Sequence, residues 1–339
     1  MKAFKSLLLL LLILVIGVSI YIAVQPNSYE VTRTRTIKAP ASVIYNTVVD
    51  FKTWDSWRSW IEINPEIVVT LGDTTKGVGG SYTWNEDGDE GYMSTTGANP
   101  NTSITQEMQF ARYPKSDVNW DFKANEDGTT DVTWTISGDN LPFGFKMWSA
   151  FSGGMEQQVG PEYERSLELL DSVVEADMKV YTINVEGITQ HSGGYYLYNT
   201  TSTKFNDFDE KSKTMLGEVG AYAITHNISM AGKPFILYNK WDAENDAIIF
   251  SACIPTNSKI LSDESEILTG QLESFRTVKT VLEGDFSNMK EAWDATLNYI
   301  ATNNLEVVEG GPMIQTYLTL PENYPNPADW RTEIYLAVK

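Results

Sequence analysis

The chain has little sulfur and little imidazole: one cysteine, Cys253, and two histidines, His191 and His226, in 339 residues. A single thiol excludes an internal disulfide framework and any multi-thiolate metal site, and leaves the redox compartment open. Two imidazoles leave few candidates for general-base chemistry. His191 in "TQHSGGYY" reads as a loop residue and His226 as a sheet or loop residue, and neither marks a catalytic site. Positive charge is also scarce, with 25 Lys and Arg against 45 Asp and Glu and a net charge of −20. Such a chain repels phosphate backbones, and no basic stripe localises a duplex, so nucleic acid is not an expected partner. "GVGG" (77–80) lacks the following helix of a phosphate cradle. The acidic stretches "NEDGDEG" (85–91) and "NEDGTTD" (125–131) lack the ligand spacing of an EF-hand loop. Asp-Gly between alternating runs is a hairpin signal, so both read as turns. No cofactor and no metal are expected.

What is abundant is apolar and aromatic. Hydrophobic residues make up 42% of the chain and aromatic ones 12%, enough for two ordinary cores. The amino end, "MKAFKSLLLLLLILVIGVSIYIAVQP", holds an uncharged run from Leu7 to Val24. As a helix it spans about 27 Å at ~1.5 Å per residue, close to the ~30 Å of a bilayer core. It is long for a signal-peptide core, no A-x-A signature follows it, and no nearby cysteine could carry a lipid. The length favours an uncleaved single-pass anchor over a cleaved signal peptide. Lys2 and Lys5 before the run nearly balance Arg33, Arg35 and Lys38 after it. The short basic amino end favours soluble parts outside the cytoplasm, on the periplasmic side of a bacterial membrane.

After the anchor (1–26), residues 27–176 read as one domain: a strand "SYEVTRTRTIKAP", a helix "ASVIYNTVVDF", about six short β-prone runs, and a closing helix. Pro161 suits the first turn of that helix. Tyr163, Leu167, Leu170 and Val174 then form a stripe that packs on a sheet. Residues 28–175 resemble the START and polyketide-cyclase-like (SRPBCC) superfamily. The resembling stretches include "APASVIYNTVVDFKTWDSWRSW", "TTDVTWTISG" and "GPEYERSLELLDSV". The resemblance implies a helix-grip fold, a curved antiparallel sheet around a long carboxy-terminal helix, with an apolar cavity for lipids or other hydrophobic small molecules. Trp54, Trp57, Trp60 and Trp84 are then either core residues or cavity wall.

Residues 177–339 carry an internal echo. "KVYTINVEG", a helix near "KFNDFDEKSKTML", "GKPFILYNKW" and "DAIIFSACIP" are followed by "FRTVKTVLEGDF", "SNMKEAWDATLNYIA", "GGPMIQTYL" and "RTEIYLAVK". Both halves read strand, helix, strand, strand, and pairing them about a pseudo-twofold buries what neither buries alone. The chain is thus read as α+β, a helix-grip domain followed by a duplicated βαββ domain. The second resembles the gyrase-inhibitor-like effector-binding domain, above all in "YLTLPENYPNPADWRTEIYLAVK".

Along "RTEIYLAVK", alternation puts Thr332, Ile334, Leu336 and Val338 on one face and Glu333, Tyr335 and Ala337 on the other. The resemblance implies that Glu333 projects into a central aromatic pocket, where it neutralises cationic ligands or orients a polar group. Ser251 and Cys253 match Glu333 and Tyr335 in the repeat, and Tyr238, Trp241, Phe286, Trp293, Tyr317 and Trp330 complete the expected pocket. The competing reading is a surface Glu333, or one paired with Arg331. Glu283, Phe286, Gln315 and Ala337 depart from the residues usual in relatives, so the ligand class does not carry over.

A drug-sensing transcription regulator would need a helix-turn-helix, and that place holds an anchor and a helix-grip domain. The expected function is a membrane-tethered binding protein for small hydrophobic or amphiphilic ligands, cationic ones included. The alternative is a cyclase or hydrolase using the Glu333/Tyr335 pocket or the helix-grip cavity. A third is a protein-interaction role.

Overall fold

The computed structural model of the protein describes residues 2–86, 88–261 and 266–339. Asp87 of the first acidic turn lies outside them. The chain divides into two units, Met1–Asp177 and Met178–Lys339.

In the first unit, α1 (Lys2–Ala23) is the apolar run, exposed from Phe4 to Val18, with Ser19 half-buried and Ile22 buried near its end. β1 (Ser28–Ile37) leads through Pro40 into α2 (Ala41–Val48), which buries Val43, Ile44 and Val48, and then into the short α3 (Trp60–Ile63). Six strands follow: β2 (Val68–Leu71), β3 (Ser81–Glu86), β4 (Asp89–Asn99), β5 (Ser103–Phe110), β6 (Ser116–Ala124) and β7 (Thr130–Asp139). They form an antiparallel meander whose last strand returns to the first, in the order β1-β7-β6-β5-β4-β3-β2. The β3–β4 pairing runs up to Glu86 opposite Asp89, and Asp127 accepts from the Thr129 backbone and hydroxyl in the β6–β7 turn.

Two helices close the unit, α4 (Phe143–Ser152) and α5 (Gly154–Met178). The sequence pattern does not signal α4 and suggests Pro161 for the first turn of the last helix, whereas α5 begins at Gly154 and carries Pro161 inside it. A proline within a helix costs about 3 kcal/mol. Burial of Tyr163, Leu167, Leu170 and Val174, at ~1.5–3 kcal/mol for each large apolar side chain, outweighs it. Between helix and sheet the space is filled with rings. Tyr163 stacks on Trp134 with centroids 3.6 Å apart, Trp134 on Trp120 at 4.2 Å, and Trp54 lies 4.8 Å from Trp57. Trp60 reaches the rim of this cluster, while Trp84 stacks on Phe110 instead.

The second unit contains β8 (Thr182–His191), β9 (Gly194–Thr203), α6 (Phe208–Thr225), β10 (Phe235–Asp242) and β11 (Ala247–Thr256). It repeats the pattern in β12 (Leu268–Leu272), β13 (Phe275–Glu283), α7 (Met289–Thr302), β14 (Met313–Tyr317) and β15 (Arg331–Ala337). The repeat is therefore strand, strand, helix, strand, strand, one strand more per half than the sequence reading gave. The eight-stranded order β12-β9-β11-β10-β14-β15-β13-β8 is symmetric about the β10–β14 pair. It also exchanges the first strands: β8 pairs with β13 of the other half, and β12 with β9.

The structural counterpart of β13 is β9, not β8 as the sequence echo suggests. The echo misleads because both β8 and β13 carry Glu-Gly. In β13 the glycine ends the strand before α7, while in β8 Gly187 sits at φ +89° in a β-bulge. Helices α6 and α7 pack on one face of the sheet. The other face carries the candidate site.

Candidate functional site

Burial follows the alternation expected for β15. Thr332, Ile334 and Leu336 are buried towards α7, and Glu333 and Tyr335 face the opposite side, each half-buried. Glu333 is not waiting for a cation. Lys279 of β13 places Nζ 2.9 Å from Glu333 Oε1 and 3.0 Å from Glu186 Oε2. Tyr335 donates its hydroxyl to Glu333 Oε2 at 2.6 Å. Glu186 reaches this cluster because it is the extra residue of the β8 bulge: Lys279 pairs with Gly187 and Thr280 with Val185, so Glu186 stands between them without a register partner.

The charges follow from this geometry. Burial alone would push the Glu333 carboxyl up, but the Tyr335 hydroxyl and Lys279 together hold it below the usual carboxylate range. Burial alone would push the Lys279 ammonium down, but its two carboxylates hold it above the ordinary lysine value. Burial and the Glu333 carboxylate push the Tyr335 phenol up, so it stays a neutral donor. The cluster is a fixed ion pair with a phenol locked to one end.

Two crossovers lie over this face. The chain passes from β8 to β9 through Ser192 and Gly193, and from β12 to β13 through Glu273 and Ser274. Leu272 pairs with Gly194, and Phe275 with His191. Gly193, at φ +71°, is packed so closely against the Leu272 and Glu273 backbone that a Cβ would collide with it. Beneath the crossovers is a cavity of about 250 Å³, walled by Tyr196, Phe235, Leu272 and Tyr335, with His191, Lys233, Thr256 and Thr316 among its polar edges.

His191 stacks on Phe275 at 4.8 Å and meets the Tyr335 ring edge-on at 4.9 Å. The Gly193 N–H donates to its Nδ1 at 3.1 Å, which leaves Nε2 as the protonated nitrogen of the neutral ring. Burial pushes its pKa down, with the Glu333 carboxylate opposing.

The ten residues singled out from sequence divide between the two faces. Glu333, Tyr335, Ser251 and Cys253 share the open face. Cys253 is buried with Tyr196, Phe235 and Ile314, and its thiol is pushed well up by burial. The Ser251 hydroxyl is held by Thr200 and by the Asn239 amide, both at 2.8 Å. The other six lie on the helix side. Tyr238 donates to Gln315 Oε1 at 2.7 Å, and Gln315 Nε2 donates to Tyr317 at 2.8 Å. Trp293 meets Tyr238 edge-on, Trp241 stacks on Phe205, and Phe286 packs between Tyr317 and Trp330. Strand parity decides this division: Phe235 and Leu237 face the cavity side, Ile236 and Tyr238 the helices.

Sequence reasoning missed Lys279, Glu186 and the role of His191. A lone lysine inside "FRTVKTVLE" was the available signal, since a cation within a β-branched run needs a partner.

No curated protein matches the chain. Among solved structures, the chain is similar to the EcmrR C-terminal domain, at 14% identity and a TM-score of 0.40, covering 47% of this chain and 98% of that one. It is also similar to protein CV1439 from Chromobacterium violaceum, at 16% identity and a TM-score of 0.33, covering 44% of this chain and 99% of that one. A third likeness is to TTHA0849 from Thermus thermophilus, at 15% identity and a TM-score of 0.35, covering 44% of this chain and 98% of that one. Residues 28–175, the helix-grip sheet with its long helix, match the family described as polyketide cyclase / dehydrase and lipid transport.

Proposed function

We propose that the protein is a membrane-tethered binding protein for small amphiphiles, and that the cavity under the crossovers of the second unit is its ligand site. The observation that carries this reading is the 250 Å³ cavity with ring walls and a few polar edges. Ligand sites combine apolar walls with a few placed polar groups, and this volume lies just below the ~300–1,000 Å³ usual for drug-sized molecules. The family matched by residues 28–175 includes lipid transport in its description, which supports small-molecule binding by the chain. The apolar helix Phe4–Ala23 supports tethering, and the short basic amino end before it favours the periplasmic side for the two units.

The ligand class follows from the charges at and beside the cavity. Glu333 is neutralised by Lys279 and does not line the cavity, whereas Lys233 does, so a cationic ligand would meet a like charge there with no carboxylate on the wall to pair with. A compact, neutral aromatic amphiphile fits without that cost, its rings against Tyr196 and Phe235 and its polar group near His191 Nε2 and Thr316.

The test is extraction and mass spectrometry of small molecules bound to the purified chain and to a Thr316→Phe variant, which fills the cavity. A compound present in the first and depleted in the second supports the site. A compound retained equally by both belongs elsewhere in the molecule. Failure of every neutral aromatic amphiphile in a panel to raise the melting temperature of the parent chain would sink the reading.

A further inference from the structure

Helix α4 leaves apolar side chains in the open where a soluble helix would not. Phe143, Met147 and Phe151 are 49%, 46% and 72% exposed. At about 100° per residue they fall within roughly 80° of one another, on a single face. Phe145 fixes the helix from the opposite side: it is buried and stacks on Tyr29 at 5.7 Å. Gly153, at φ +82°, then ends the helix in a left-handed cap.

The position of α4 identifies what covers this face. The Leu141 N–H donates to the Asn27 carbonyl at 3.2 Å, extending the β1–β7 ladder that begins with Ser28 opposite Asp139. Asn27 lies just past Ala23, where α1 ends, and Phe143 opens α4 just past Leu141. The chain two residues before α4 is thus hydrogen-bonded to the chain four residues past the end of α1, and α1 packs against α4.

Interfacial side chains surround the stripe. Tyr113, exposed on the β5–β6 loop, lies 5.6 Å from Phe145 and 6.3 Å from Trp148 of α4. Exposed Arg112 is next to Tyr113, and Lys146 is on α4 itself. Tyr and Trp concentrate at the level of lipid headgroups, and Arg and Lys bury their stems there while their charges meet lipid phosphates. In a chain of net charge −20, two cations beside an apolar stripe suit an anionic bilayer surface.

We propose that α4 is a second membrane contact: an interfacial helix that lies in the headgroup–acyl boundary with Phe143, Met147 and Phe151 inserted. It holds the helix-grip unit against the bilayer instead of letting it swing on the anchor. This rests on the reading of α1 as a membrane span.

The test uses the whole chain in vesicles of phosphatidylcholine and phosphatidylglycerol, with single engineered cysteines carrying an environment-sensitive fluorophore. The native Cys253 is buried and stays unlabelled. The sites are Phe151→Cys and Met147→Cys on α4, Leu12→Cys in α1, and Glu126→Cys in the β6–β7 turn at the far end of the β1–β7 ladder. The expected result is several-fold stronger quenching of the α4 labels than of the Glu126→Cys label by nitroxides on shallow acyl carbons, and quenching of the Leu12→Cys label by deep ones. Quenching at Leu12→Cys with both α4 labels as unquenched as the control overturns the proposal and leaves the anchor standing. No quenching at Leu12→Cys removes the anchor and the proposal together. α4 labels that are shielded but not lipid-quenched would mean a protein partner, and also overturn it.

Discussion

Lys279 Nζ stands 2.9 Å from Glu333 Oε1, so the carboxylate that points into the open face of the second sheet brings its own counter-ion. Both side chains are largely shielded, at 19% and 12% exposure. Removing one partner of a shielded pair leaves a charge without compensation. Lys279→Met is therefore expected to lower the stability of the second unit by about 1–3 kcal/mol, less than for a fully buried pair. The double variant Lys279→Met/Glu333→Gln should recover most of it. Urea unfolding of the three proteins checks this, and a double variant no better than Lys279→Met would mean that the pair is not coupled. Lys279→Met should also bind hydrophobic cations that the parent chain does not, because it exposes the carboxylate they would need.

The His191 ring couples the cavity to pH. Its pKa is lowered by burial against an opposing Glu333 carboxylate, so the fold favours the neutral ring. On acidification the unfolded chain takes up the proton first, near 6.5. Stability is therefore full above that pH and is lost as pH falls from there through the lower folded value. His191→Phe keeps a ring against Phe275 and should flatten this dependence. Glu333→Gln removes the opposing charge and should move the imidazole midpoint further down. An NMR titration of the two histidines reads it directly, and a His191 midpoint at or above 6.5 would contradict the burial argument.

Gly193 should be the least replaceable residue of the cavity roof. Its φ of +71° disfavours any side chain, and a Cβ there would strike the backbone of the other crossover rather than a movable side chain. Gly193→Ala is expected to cost about 1–3 kcal/mol, combining the conformational penalty with the displacement. Gly232→Ala, in the same cavity but at an ordinary φ and in ordinary contact with Pro255, should stay within about 0.5 kcal/mol of the parent. Equal losses in the two variants would mean that the crossover contact carries no special role.

The α+β architecture was legible because its signals are local. The alternation of "RTEIYLAVK", the stripe through Tyr163 and Val174, and the Asp-Gly turn at 127–128 each follow from one stretch of chain. The site was legible only in part, because parity and pairing are properties of the sheet. Tyr238, Trp293 and Tyr317 looked like pocket walls by residue type, yet strand parity and helix position turn them to the covered face. Lys279 meets Glu333 only because β13 lies beside β15, and Glu186 joins them only because β8 crosses to the other half of the repeat. That exchange was hidden by the resemblance of β8 to β13. Helix α4 was missed for another reason: with apolar residues on more than one face, "FGFKMWSAFS" lacks the stripe pattern of a helix packed on a core.

Glu162 gives the first unit a pH dependence opposite in sense to that of His191. Partial burial of its place on α5, with the Glu86 carboxylate adding to it, pushes the Glu162 carboxyl up to about 7. The folded chain thus holds this proton more tightly than the unfolded chain, whose carboxyl releases it near its ordinary 4.5. The resulting stability is fully present below that value and is lost as pH rises through about 7. Glu162→Gln fixes the neutral form, so it should raise the Tm of the first unit at pH 8 and leave it nearly unchanged at pH 4.5. Glu86→Gln should give a smaller rise at pH 8, because it removes only the secondary cause. Thermal unfolding of the three proteins at the two pH values decides the matter: a Glu162→Gln shift of the same size at both would mean that the carboxyl is well solvated and that burial does not hold its proton.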